Sequence, residues 1–456
     1  MKKIIRILAV LMAALLAVAV LASCENAEKG EKGDTGRGIL KTEIIDGWLF
    51  ITYSDDPENP VKIGRVNGDD GTESEGTDGL EYYPLPDGTY AVGGGTTKYL
   101  TEVEIPAIHN GKAVTVIMDR GFQEFPNLKK ITIPNSVANI GDGAFSRCSN
   151  LTNITIPNSV SNIGDGAFSG CSNLTNITIP SSVTTIGDHA FRNSALTSIT
   201  IPDSVTSIEA MAFANCSGLM SITIGSSVAN IGGSAFYGCE KLVEVYNKSA
   251  LPISAGNYSY GYVGYYAKAV YVEPYTSKLS IDENGYIFYT DGDTVLLMGY
   301  TGNEVSLILP TGISEVYACA FKDSSALTNI IIPNGVAKVG NNAFSGCSAL
   351  TGIIIPDSVT SIGYCAFSGC SALTSVTIPN GVTNIDRDVF SDCSALTSVT
   401  IPNTVTAIGN GAFQNCYDLK SITYTGTKAQ WNIITKGHFD WTGTVKCSDG
   451  DLIYIY

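Results

Sequence analysis

A repeat solenoid built of β-rich coils is the fold this sequence predicts, and three observations predict it. A block of about 23 residues, Leu-x-x-Ile-x-Ile-Pro-x-x-Val-x-x-Ile-Gly-x-x-Ala-Phe-x-x-Cys-x-x, recurs through most of the 456 residues. Copies begin at Leu128, Leu151, Leu174, Leu196 and Leu219, and a second set at Glu304, Leu327, Leu350, Leu373 and Leu396. Within a copy, Ile131 and Ile133 alternate with Thr132 and run into Pro134, which cannot donate to a ladder. A fixed period of this size marks stacked coils in which each unit packs only on its neighbours.

Taken in order along one coil, the first element is a short half-buried strand ending at Ile133. Val137 and Ile140, three apart, predict a second short extended segment on another side. Gly141 permits a tight turn, and Ala144-Phe145-x-x-Cys148 reads as a single helical or 3₁₀ turn that tucks Phe145 inward. Leu, two Ile, Val, Ile, Ala, Phe and Cys face inward in each coil. One coil cannot bury them, but neighbours about 4.8 Å apart can, so ten coils span roughly 50 Å. The period excludes tetratricopeptide, ankyrin and WD40 arrays.

The Ile-Pro, Ile-Gly, Ala-Phe and Cys spacing resembles the leucine-rich-repeat proteins of the BspA type, also called the Treponema pallidum class, over residues 80–426. Departures are local. Ser194 and Ser324 replace the Cys, Gly225 replaces the Pro, and Glu209, Tyr317 and Asp386 replace the Gly. The resemblance implies β-rich leucine-rich-repeat coils and a surface adhesin or recognition role, with host or microbial surface protein or a glycan as ligand. It implies no cofactor and no catalysis.

Flanking segments extend this plan. Lys2, Lys3 and Arg6 precede an uncharged apolar stretch that ends in Leu21-Ala22-Ser23-Cys24. This reads as an export signal over 1–23, too short to be a comfortable membrane span. The tetrapeptide resembles the lipobox of bacterial lipoproteins, which implies acylation of Cys24 and membrane attachment through a lipid anchor, stable when more than one acyl chain is present. Residues 24–38 read as a Gly-rich tether, 39–66 as a small β-hairpin segment turning at Asp46-Gly47, and 67–79 as an acidic linker. Residues 80–127 read as a degenerate capping repeat, 128–241 as five coils, 242–303 as a Tyr-rich β insert, 304–418 as five further coils, and 419–456 as a C-terminal cap.

Charge and chemistry narrow the function. A net charge of −16 argues against nucleic acid as a partner. Eight of the 12 cysteines occupy one repeat position, which suits a buried ladder of small apolar thiols better than a disulfide framework. No Cys-x-x-Cys or nearby histidine suggests zinc, and the three histidines lack nucleophile or carboxylate partners. Asp282–Gly285 and Asp291–Asp293 look like calcium loops but read better as hairpin turns.

Two surfaces are candidate binding sites. Thr132, Thr155, Thr178, Thr200 and Thr223, with Thr377 and Thr400, form a column that could bind a repetitive polymer, although cross-strand Thr pairing explains it without a ligand. Twelve of the 23 tyrosines lie between Tyr246 and Tyr317. Among them Tyr258, Tyr260, Tyr262, Tyr265 and Tyr266 suggest a recognition loop standing off the solenoid, or aromatics packed on the coil edges. A non-enzymatic, monomeric surface recognition protein is the expectation, with an envelope scaffold as the rival reading and an enzyme in the insert a remote third.

Overall fold

The computed structural model describes residues 39–45, 48–53, 56–65, 76–438 and 441–454. The signal at 1–23, Cys24 and its tether, and most of the acidic linker lie outside the described residues. Two compact units divide the chain, Met1–Ser74 and Glu75–Tyr456. In the first, Ile39–Ile45 pairs antiparallel with Trp48–Tyr53, which pairs in turn with Asp56–Arg65. The third strand escapes the sequence pattern because Pro57 and Pro60 break it; prolines are tolerated at a sheet edge, where this strand lies.

Glu75–Tyr456 is a parallel β-solenoid whose coils have two strand columns and one turn column. The first column stacks Lys130–Thr132 on Glu102–Glu104 and Asn153–Ile154, and Ser198–Thr200 on Ser221–Ile224. The second stacks Asn139–Ile140, Asn162–Ile163, Thr185–Ile186 and Ser207–Ile208. Like residues sit side by side, so Ile140, Ile163 and Ile186 form one continuous buried row. Side-chain alternation then buries each isoleucine while Thr132, Thr155, Thr178 and Thr200 remain exposed.

The turn column is not a regular helix. Ala144, Ser146 and Cys148 donate to residues three back, as in a 3₁₀ turn, while Gly143, Phe145 and Arg147 donate to Asp165, Ala167 and Ser169 of the next coil. Alternating the two bond sets requires two left-handed residues per coil, Gly143 and Arg147 here, with φ of 61° and 60°. Close stacking also requires a glycine at Gly164, where an added Cβ would lie 2.7 Å from the Asp142 amide nitrogen.

Phenylalanine rings from successive coils stack nearly parallel, 5.3 Å apart between Phe145, Phe168 and Phe191 and 5.2 Å from Phe191 through Phe213 to Phe236. The cysteines pack beside them, and each thiol donates to the carbonyl of a phenylalanine in the preceding coil. Cys148 reaches Phe122 at 3.0 Å, Cys239 reaches Phe213 at 3.1 Å, and Cys370 reaches Phe344 at 3.3 Å. Ser194 serves its own coil instead, donating to Phe191 at 2.7 Å. A small side chain with one donor is what this buried position demands.

The interruption between the arrays differs from the expected stand-off loop. Glu244–Asn247 and Ala269–Tyr271 continue the first strand column in register, with Val245 beside Ile222 and Val270 beside Val245. Tyr260 and Gly261 take up the turn column, and Phe236 donates to the Gly261 carbonyl just as Phe213 donates to Ala235. Val263 and Ala267 complete the buried core of the first array. The pattern is illegible in sequence because a Gly-Tyr-Val segment substitutes for Ala-Phe.

The second array opens with an antiparallel meander, Leu279–Ile281, Tyr286–Asp291 and Thr294–Tyr300, whose last strand pairs parallel with Glu315–Val316. Its core is a separate cluster running from Tyr286 to Val445. A third, small cluster of Val243, Tyr289, Leu296, Met298 and Tyr317 joins the two. Beyond the last coils, the helix Lys428–Ile433 starts at a Thr427 capping box and buries Trp431, and Gly450–Tyr454 folds back antiparallel on Gly443–Cys447.

Candidate functional site

The two arrays meet at a cleft of about 560 Å³, within the range of small-molecule sites. One wall comes from the turn columns of the first array and carries Asn193, Asn215, Ser217 and Tyr237. The other comes from the second array and carries Lys322, Asn342, Tyr364 and Arg387. Asn193 and Asn215 hold the left-handed position of their coils, with φ of 56° and 59°, a conformation asparagine tolerates better than most residues. Stacking brings their amides together, and Asn215 donates to Asn193 at 3.2 Å.

Glu240 ties the walls. One of its carboxylate oxygens accepts from the Tyr364 hydroxyl at 2.6 Å, both lie 3.4 Å from the Asn342 amide, and the Cys319 thiol points at the second from 3.9 Å. Burial first, and then this carboxylate, hold the Tyr364 hydroxyl protonated far above its ordinary range. Cys319 is pushed up to about 12 by burial and by Glu240. Beside it, Lys241 donates to the Ala320 carbonyl at 3.4 Å, and desolvation lowers its ammonium to about 8. Replacing Glu240 with Ala leaves the Tyr364 hydroxyl and the Asn342 amide unmatched, a loss of about 1–3 kcal/mol at the junction. Faster amide exchange across residues 316–320 and 341–343 is the expected readout; exchange equal to wild type there would show that the arrays are held by something else.

The tyrosines singled out in sequence divide by role. Tyr266 lines the cleft, its hydroxyl raised by burial and by Glu240. Tyr262 contacts Tyr237 and Tyr265 edge to face at 5.6 Å each, extending the aromatic rim. Tyr258 is 70% and Tyr265 46% exposed beyond it, whereas Tyr260 packs on the first core. The threonine column faces solvent on a different side of the coil. Thr200 lies beside Thr223, but Tyr246 and Tyr271 continue the column.

Several residues at the cleft were not anticipated. Glu240, Asn342, Tyr364 and Arg387 occupy variable positions of the coil, where the repeat imposes no residue type and so gives no signal. The threonine column has a counterpart that was also missed. In the second array its first three positions are Ile308, Ile331 and Ile354, aligned in register and 72%, 38% and 60% exposed. The Ile330–Ile332 and Ile353–Ile355 triplets carry that signal in the sequence, because a strand with one wet face has no burial use for its middle isoleucine.

Parallel short strands, a stacked aromatic row and an asparagine- and cysteine-bearing turn column define a solenoid of the leucine-rich-repeat class. The chain belongs to the BspA-type leucine-rich-repeat family, whose region matches in six copies over residues 96–219, 186–261 and 306–440. Among solved structures it is similar to a leucine-rich cell surface protein of Faecalibacterium prausnitzii, at 28% identity over 79% of this chain and 96% of that one, with a TM-score of 0.39. A leucine-rich-repeat protein of Bacteroides ovatus is 27% identical over 81% and 98%, with a TM-score of 0.37. The leucine-rich-repeat protein of T. pallidum is 20% identical over 65% and 88%, with a TM-score of 0.29. No curated protein matches the chain.

Proposed function

We propose that this is a non-enzymatic, monomeric, cell-surface recognition protein, lipid-anchored at Cys24, that binds an extracellular ligand in the cleft between its two arrays. The observation that carries this reading is the cleft itself: the coil faces repeat one chemistry, whereas the cleft joins non-repeating side chains from both arrays. Its amides, hydroxyls and tyrosine rings favour a hydroxyl-rich glycan over the apolar anchor residues of a protein partner. The family and the surface description of one solved relative support an exported location. The exposed isoleucine column favours a second reading, in which a surface protein docks on the strand face.

A binding screen against glycans and matrix proteins distinguishes these readings when run with two variants. Ser217→Trp fills the cleft, and Ile331→Asn interrupts the isoleucine column. Loss of the retained ligand with Ser217→Trp alone is the expected result. Retention by that variant, with a wild-type melting profile, would remove the cleft from the mechanism. Surface exposure is read by protease shaving of intact cells, and the anchor by an acyl mass on the peptide that begins at Cys24.

A further inference from the structure

Four cations elsewhere in the solenoid pair with carboxylates. Arg147 meets Glu124 at 2.8 Å, Lys248 meets Asp203 at 2.7 Å, Lys278 meets Asp291 at 2.7 Å, and Lys338 meets Glu315 at 3.0 Å. Lys322 and Arg387 are exposed too, and both line the cleft, yet neither has an ion-pair partner among the described residues. Lys112, Lys129, Lys130 and Lys420 are also exposed without an ion pair among the described residues, but Lys322 and Arg387 stand together in one concavity of a chain whose net charge is −16.

The geometry also prepares one of them. The Arg387 guanidinium lies over the Tyr364 ring, 5.0 Å from its centroid, and Tyr364 is fixed by its 2.6 Å bond to Glu240. Stacking occupies a face of the guanidinium and leaves its donor edge available, the arrangement that pairs a carboxylate in bidentate fashion. Two carboxylates share the cleft. Glu240 is engaged by Tyr364 and Asn342, and Asp323 follows Lys322 on the same turn. Across from the cations, the single bond from Asn215 to Asn193 leaves amide donors and an acceptor unmatched. Tyr237 is half exposed beside them and offers an aromatic face.

Resting on the cleft reading above, we infer that the ligand is an oligosaccharide carrying a carboxylate, a uronic or sialic acid. Arg387 and Lys322 take the carboxylate, the Asn193–Asn215 ladder takes ring hydroxyls, and Tyr237 supports the apolar face of a sugar ring. A free carboxylate alone would leave the amide ladder and the tyrosine unused. A neutral glycan would leave the cations unused.

The test uses the purified full chain on immobilised oligogalacturonides and sialylated oligosaccharides, each beside its methyl ester, which keeps the shape and removes the charge. Retention of the acid forms at least roughly tenfold above the esters is expected, from one charge-assisted pair. That preference should shrink with added salt and vanish in Arg387→Ala, with partial recovery in Arg387→Lys; melting curves check that each variant folds. Equal retention of acid and ester, or a preference untouched by Arg387→Ala, overturns the inference. So does the absence of any retained acidic glycan. If Ser217→Trp still blocks a neutral or protein ligand in those cases, the cleft reading survives. If it blocks nothing, both fall.

Discussion

Raising the pH from about 7.5 to about 10 is expected to cost the solenoid roughly 1.4 kcal/mol for each ladder thiol that ionises only on unfolding. Burial raises Cys148 from 9.0 to about 11 and Cys347 and Cys416 to about 12. Burial also raises Cys171, Cys370 and Cys393 well above the ordinary thiol value. Below pH 9 both the folded and unfolded chains hold these protons, so the contribution is fully present. Above it the unfolded chain releases them while the folded chain keeps them, and stability falls until the folded values are reached. Six such thiols bring the loss toward roughly 8 kcal/mol. Lys241, lowered to about 8, acts in the opposite sense between that pH and its unfolded value of 10.5, as does Lys436, which burial also lowers, but these lysines are fewer than the thiols.

Urea midpoints measured under reducing conditions across this range test the expectation. Serine already substitutes in the ladder at Ser194, so Ser at positions 370 and 393 should flatten the alkaline slope. A level profile between about pH 8 and about pH 10 would show that the thiols titrate freely in the folded state.

Truncating a stacked ring is the second large effect. Phe168 is fully buried between Phe145 and Phe191, 5.3 Å from each. Phe168→Ala is expected to cost about 3–5 kcal/mol through the cavity it leaves, plus part of two ring contacts worth roughly 0.5–1.5 kcal/mol each. Because each coil depends on its neighbours, the damage spreads along the stack and stops where the stack stops. The cores of the two arrays are separate, so amide protection should collapse over residues 128–241 and persist over 327–418. Phe367→Ala should do the reverse. Uniform loss across both arrays after either change would mean that the small cluster around Tyr289 and Met298 couples them into one cooperative unit.

Much of the coil was legible in the sequence because its signals are local and repeated. The Ile131-Thr132-Ile133 alternation marked the first column, Val137 and Ile140 the second, and Phe145 with Cys148 the inward turn. The left-handed residue at Asn193 or Arg147 gave no comparable signal, since Gly, Arg and Asn all occupy it. The sixth coil of the first array was also hidden. Gly261 and Val263 fill places that Ala and Phe hold elsewhere, and the dense tyrosines drew attention to the surface rather than to the stack. Only Tyr266 of that group reaches the cleft wall.

Periodicity by itself determined the stacked architecture and the buried set of each regular coil, because contacts between neighbouring coils join residues one period apart. Tertiary structure alone decided that the arrays meet at a cleft and which side chains line it. The bonds that close it span 102 residues from Asn342 to Glu240 and 124 from Tyr364 to Glu240. Such pairs occur once and leave no repeating trace, because they join coils on either side of the meander at Leu279–Tyr300.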